Sequence, residues 1–217
     1  MNIADASQFV AATKPSLLYI SGKTCTGKTT FSQKLAGRDG YAVIVLDKIV
    51  REAVTTPLGL QDKIGDVVVS VYQTADVPEW VDRFVDKTRE RIAEYRAQEM
   101  PVIIEGAVSN PEVLTRIFAG YPDAQTLYFH LKETGSMYPR NLLSRFMGTS
   151  ATNDNGLPNA FWDCIKPEDF AHFCKDGIVT PSLQEGIDSY CAAARGSSAK
   201  RLALFQQHLQ NLQVVEI

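Results

Sequence analysis

From Gly22 to Thr29 the chain reads Gly-Lys-Thr-Cys-Thr-Gly-Lys-Thr, between an apolar run, Leu17 to Ile20, and a helix-competent stretch, Thr29 to Ala36. That order of strand, tight loop and helix is what a phosphate-binding loop requires. Two glycines let the backbone curl so that successive N–H groups point inward, and the helix that follows adds its positive end, so the loop becomes a concave anion site. Gly22, Lys23, Thr24, Cys25, Thr26, Gly27, Lys28, Thr29 and Thr30 are therefore the expected nucleotide-binding residues. Lys28 is placed to reach the β- and γ-phosphates, and Thr29 has the hydroxyl that completes the coordination of a hard, oxygen-seeking ion. ATP and Mg²⁺ are the expected cofactors.

Strands and helices alternate along the rest of the chain. Asp5 or Ser7 is expected to cap a short accessory helix reaching Thr13, ended by Pro15. Tyr41 to Leu46 is a continuous apolar run suited to a strand buried on both faces, with Asp47 at its carboxyl end. Val81, Phe84, Val85, Ile92 and Tyr95 recur at helical spacing between Pro78 and Gln98. Met100 to Ile104 forms the next strand, ending in Glu105-Gly106, and Thr126 to Leu131 the one after it. A helix over Ala199 to Leu212 and a strand over Val214 to Ile217 complete the pattern. Parallel neighbours need crossover connections, so the expected fold is α/β, a three-layer, doubly wound, five-stranded and mostly parallel sheet of P-loop type.

Ligands of such sheets bind beyond the carboxyl ends of the strands, which brings the loop, Asp47 and Glu105 to one edge. Asp47 is the candidate general base toward an acceptor hydroxyl, with the capping of the next helix as its structural alternative. Glu105 is the candidate Mg²⁺ ligand with Thr29, directly or through water. Arg51, one turn beyond Asp47, is read either as facing an anionic substrate or as pairing on a solvated face. The segment 55–77 has no partner in a minimal sheet and is expected to fold over the acceptor. Arg140 and Arg145 precede a Gly-, Ser-, Thr- and Asn-rich stretch, Gly148 to Asn159, and are expected to act from a lid, offsetting charge on a migrating phosphoryl group. One domain is expected, with its core at about 16–55, 78–132 and 180–217 and the lid at about 133–178.

Composition narrows the partners. A net charge of −3 disfavours a long nucleic acid and favours a small anionic ligand. No apolar run approaches the length of a membrane span and no leader pattern opens the chain, so no membrane partner and a cytoplasmic location are expected, as a monomer or homodimer. Cys25, Cys164, Cys174 and Cys191 show no CxxC pairing, so reduced thiols are expected, with Cys25 either redox-sensitive at a helix start or simply tolerated. His130, His172 and His208 lack metal-site spacing, and His130 reads as a hydrogen-bonded strand histidine. Phe161 and Trp162 are candidates to stack on a base, while Trp80, Phe170 and Phe173 read as core.

The loop, Val-Leu-Asp47, Val-Ile-Ile-Glu105-Gly106, the arginine helix and the late strand together resemble the P-loop kinases of nucleosides, nucleotides and other small metabolites, such as uridine kinase and adenylate kinase. That resemblance implies phosphate binding by Gly22 through Thr30, Mg²⁺ at Thr29, an acceptor at Asp47 and a lid carrying Arg140 and Arg145. A second resemblance covers fewer residues: Thr24 through Thr30, Leu46-Asp47 and Ile104-Glu105-Gly106 are similar to the adenylate isopentenyltransferases. There the aspartate at the place of Asp47 is also a base, and the loop grips the diphosphate of dimethylallyl diphosphate. Lys23 stands where that family usually has proline, and the residues after Asp47 depart from its pattern.

The reading that follows is ATP- and Mg²⁺-dependent phosphoryl transfer to a small metabolite, most simply a nucleoside or nucleotide. The alternatives are prenyl transfer to AMP and a nucleotide-binding regulatory module with little turnover. Asp47 and Glu105 argue against the last, since a pure binding module needs no base beside the phosphates.

Overall fold

The computed structural model describes residues 1–23, 25–132, 137–146 and 163–217. Among them, five strands form one parallel sheet: β1 (Leu17–Gly22), β2 (Ala42–Val45), β3 (Val102–Glu105), β4 (Gln125–His130) and β5 (Leu212–Glu216), in the order β2-β3-β1-β4-β5. The chain's third strand thus inserts between the first two. Ile20 and Val45 both register with Glu105, which sets the ends of β1, β2 and β3 level at one edge.

β1 is buried along its whole length. Successive side chains of a strand point to opposite faces, so Leu17 and Tyr19 enter one core and Leu18 and Ile20 another. The first core is closed by α3 (Leu46–Val50), α4 (Ile64–Val69), α5 (Pro78–Ala97), α6 (Pro111–Phe118) and the end of α9 (Pro181–His208). The second is closed by α1 (Ile3–Thr13) and α2 (Lys28–Asp39). Helices on both faces of a parallel sheet, with a glycine-rich loop joining β1 to α2, make this a three-layer α/β fold of P-loop type.

Several local details differ from the sequence reading. Asn2, not Asp5 or Ser7, caps α1: its side chain accepts from Asp5 N, while the Asp5 carboxylate accepts from Asn2 N in return. The helix is also more than an accessory, because Ala6 and Val10 are fully buried against the sheet and the Met1 ammonium donates to Val214 O. The last helix begins at Pro181 rather than Ala199. Thr180 accepts from Leu183 N, and proline at the first position has no N–H to leave unmet. Gly186 and Gly196 blurred the helical signal of that stretch.

The segment after α3 is helical almost throughout. α3 runs on through a π-helical turn, Arg51–Thr55, and α4 runs on through another, Ser70–Thr74. Val67, Val71 and Tyr72 are buried against α3 and α5, so this insertion is part of the first core. Its end is fixed to the loop after β3: the Tyr72 carbonyl accepts from Ser109 N and Asn110 N at 2.8 and 2.9 Å.

A third cluster lies beyond β4, built from α7 (Met137–Phe146), α8 (Pro167–Asp176) and the first half of α9 around Tyr138, Leu142, Phe170, Phe173, Leu183 and Ile187. Phe170 and Phe173 are core residues here, as expected from sequence. The glycine-rich stretch expected to form a lid loop, with Phe161 and Trp162, lies outside the described residues, as does Thr24. Arg140 and Arg145 fall on the α7 backbone, and their side chains lie outside the description. No helix among the described residues is long and apolar enough to cross a membrane.

Candidate functional site

Gly22 closes β1 at φ +146°, and a Cβ there would stand 2.6 Å from Phe129 O of the neighbouring strand. Only glycine tolerates both the backbone angle and that approach. The loop then turns through Cys25 at φ +64° and Gly27 at φ +87° into α2. Cys25 packs against the third cluster, an apolar contact that ties the loop to α7–α9. The structure contains no disulfide among the described residues. Gly27 caps α2 without a side chain, so the first N–H groups of that helix keep no side-chain acceptor and face the concavity.

Inside the loop two donors meet at one carbonyl. Lys28 Nζ donates to Lys23 O at 2.6 Å, and Thr26 Oγ1 donates to the same oxygen at 2.7 Å. Lys28 is only 9% exposed. Burial pushes its ammonium down to about 8; the Glu105 carboxylate opposes that, the Arg201 guanidinium adds to it, and the Asp47 carboxylate opposes it in turn. Lys28 therefore has both predicted carboxylates within electrostatic reach, although they come from the ends of different strands. A phosphate would replace the carbonyl as its partner and favour the charged form of the amine, raising its pKa.

Glu105 ends β3 and is buried. Its Oε1 accepts from Thr29 Oγ1 at 2.6 Å, and its Oε2 is buried without a partner. An orphaned carboxylate oxygen of this kind costs about 1–3 kcal/mol or more unless a ligand meets it. A hydroxyl and a carboxylate with one open oxygen form a hard, all-oxygen donor set, which fits Mg²⁺.

Asp47 is the second residue of α3, and the helix takes no side-chain cap. The capping alternative is set aside by what its carboxylate does: Oδ1 accepts from the Tyr72 hydroxyl at 2.7 Å. Burial, the Asp47 charge and the hydrogen bond to it push the Tyr72 phenol well above its ordinary range, so it stays a neutral donor. Tyr72 is the site residue that sequence reasoning missed. Its only signal was an apolar run, Val67 to Tyr72, in a segment without a place in the minimal sheet.

Arg51 lies on the exposed face one turn past Asp47 and makes no ion pair among the described residues. His130, as expected, is hydrogen-bonded: its Nδ1 lies 3.2 Å from Ser198 Oγ on α9.

A family model described as isopentenyl transferase matches residues 15–54. That stretch holds the loop, Asp47 and Arg51, but not Tyr72 or Glu105. No curated protein matches the chain. Among solved structures, the chain is similar to a shikimate kinase from Bacteroides thetaiotaomicron at 13% identity and TM-score 0.39, covering 88% of this chain and 97% of that one. It is also similar to a gluconokinase from Sinorhizobium meliloti 1021 at 14% identity and TM-score 0.41, covering 89% of this chain and 98% of that one.

Proposed function

We propose that the protein is a P-loop small-molecule kinase that moves the γ-phosphoryl group of ATP to a small metabolite, with a nucleoside or nucleotide as the first acceptor class. One observation carries this reading: the Asp47 carboxylate is held by the Tyr72 hydroxyl within electrostatic reach of Lys28 and is not spent on a helix cap. A carboxylate there takes the proton of an acceptor hydroxyl as its oxygen attacks the γ-phosphorus, and ADP leaves into the loop. The loop N–H groups and Lys28 hold the β- and γ-phosphates and offset the charge that spreads over the transferred group. Thr29 and Glu105 would hold Mg²⁺, which when bound neutralises phosphate charge. Arg140 and Arg145 are the cations we assign to the closing segment.

The test is a product assay with ATP and Mg²⁺ against nucleosides, nucleotides, sugars and related alcohols. Acceptor-dependent ADP release is the expected result. Asp47→Asn should lower kcat by about 10²- to 10⁴-fold, the usual share of a general base, while nucleotide affinity stays the same. Lys28→Ala should weaken nucleotide binding and turnover together. Retained activity in Asp47→Asn would remove the base assignment.

A second reading is favoured by the match of the isopentenyl transferase model over residues 15–54. In it the loop holds the diphosphate of dimethylallyl diphosphate, and Asp47 takes a proton from the amino group of AMP. A parallel assay with those two substrates decides between them, because prenyl transfer releases diphosphate and no ADP.

A further inference from the structure

Arg201 sits on α9, one turn after Ser198, which is bonded to the end of β4: Ser198 Oγ accepts from Leu131 N at 3.0 Å and the Tyr128 hydroxyl donates to Ser198 O at 2.9 Å. Its guanidinium lies within electrostatic reach of Tyr19 on β1. The Arg201 charge is felt at Tyr19 and Tyr128 in the first core and at Lys23 and Lys28 of the loop. Yet Arg201 makes no ion pair among the described residues, and its Nη1 is buried without any hydrogen-bond partner.

A buried guanidinium nitrogen without a hydrogen-bond partner, on a side chain that makes no ion pair among the described residues and lies within electrostatic reach of two lysines, is unfavourable on its own. The Lys23 ammonium bears this out: burial, and then the Arg201 charge, push it down to about 8, with no carboxylate opposing them. Asp47 and Glu105 act on Lys28 instead. The arrangement is therefore complete only when an anion enters it.

The donor's phosphates already have the loop amides, the start of α2 and Lys28. α2 packs on the opposite sheet face, through Phe31 and Leu35. α9 instead packs Phe205 into the core that also holds Ile49 and Tyr72, so Arg201 approaches from the face that carries Asp47. We propose that Arg201 and Lys23 form an anion-binding position beside the loop that takes a phosphate or carboxylate group carried by the acceptor. The acceptor is then an anionic metabolite whose nucleophilic group sits at Asp47 while its charged group sits at Arg201. That the anion is carried by the acceptor rests on the phosphotransferase reading; the anion position itself rests on the orphaned Arg201 nitrogen, the face on which its helix packs and the charge it exerts on Lys23.

The test uses the full chain and inorganic phosphate as probe, titrated calorimetrically with the loop saturated by magnesium and a non-hydrolysable ATP analogue. Arg201→Met should weaken phosphate binding by about 10- to 100-fold, the equivalent of a charge-assisted hydrogen bond, with analogue affinity within about threefold by the same measure. Lys23→Met should weaken it less. Because the substitution removes an uncompensated charge, the unliganded Arg201→Met protein should also melt higher, by about 2–4 °C.

Acceptors tested as charged and neutral pairs, a nucleotide against its nucleoside and a sugar acid against its sugar, separate phosphate from carboxylate. The preferred charged member should lose its advantage in Arg201→Met through KM. Unchanged phosphate affinity in Arg201→Met, or a lower melting temperature with unchanged affinity, would overturn the proposal. If the wild type binds no nucleotide, the phosphotransferase reading falls, and the phosphate comparison run without nucleotide still decides on Arg201.

Discussion

Among the described residues, Asp47 takes its side-chain hydrogen bond from one neutral donor, the Tyr72 hydroxyl. A tyrosine hydroxyl can hold a carboxylate without competing for the proton that the carboxylate is to take, since the buried Tyr72 phenol ionises only well above its ordinary range. Removing the hydroxyl in Tyr72→Phe deletes a hydrogen bond to a charged group, worth about 1.5–3 kcal/mol. The ring, which packs 5.7 Å from Phe84, is kept. Steady-state kinetics should show kcat down by about tenfold or more, with nucleotide affinity close to wild type and the melting temperature lowered by about 3–12 °C, as loss of that bond requires. A variant that loses stability and keeps kcat would make Tyr72 a packing residue. Tyr72 could not be read from sequence because nothing in an apolar run states which hydroxyl will face a carboxylate 25 positions away.

Among the elements, α9 joins the third cluster to the first core beside the sheet. Its Gly186 runs against the segment before α8: a Cβ there would stand 2.5 Å from Cys164 O and 2.9 Å from Ile165 Cγ1. Two effects of Gly186→Ala oppose each other. Helix propensity favours alanine by about 1 kcal/mol, whereas overpacking against a backbone oxygen costs about 1–3 kcal/mol. The obstacle is a carbonyl and not a pliable side chain, so the net effect should be destabilising. Urea unfolding should show a lower midpoint for Gly186→Ala and none of that loss for Gly196→Ala, where nothing lies within 4 Å of the added carbon. A rise at both positions would mean that the helix and its neighbour slide apart freely.

Across the whole molecule, charge at the loop should leave a mark on stability. Burial lowers the Lys23 and Lys28 ammonium groups to about 8, against 10.5 for an unperturbed lysine. Between those values the unfolded chain binds protons that the folded chain has released, so stability rises with pH. Buried Tyr19 and Tyr72 are raised above 10.0 and act in the opposite sense: above that pH the unfolded chain sheds protons that the folded chain keeps, and stability falls. The unliganded protein should accordingly show a higher urea midpoint at about pH 9.5 than at about pH 7.5. A saturating phosphate ligand, by recharging Lys28, should flatten the rise. A midpoint that falls steadily from pH 7.5 would refute the burial of both lysines.

Much of this molecule was legible in the chain. Gly22, Gly27, Lys28 and Thr29 dictated a strand, a turn and a helix because their spacing is a local backbone property, and the apolar runs ending at Ile20, Leu46 and Ile104 dictated parallel strands because continuous burial needs cover on both faces, although the second strand stops at Val45 and Leu46 opens α3. With strand ends at one edge, Asp47 and Glu105 followed. What local pattern does not carry is contact between distant elements. The insertion's return to Asp47 through Tyr72, the open oxygen of Glu105 and the unmet guanidinium of Arg201 exist only once α4 and α9 have packed on the sheet, because each depends on which buried polar atoms the packing leaves with a partner and which it leaves without one.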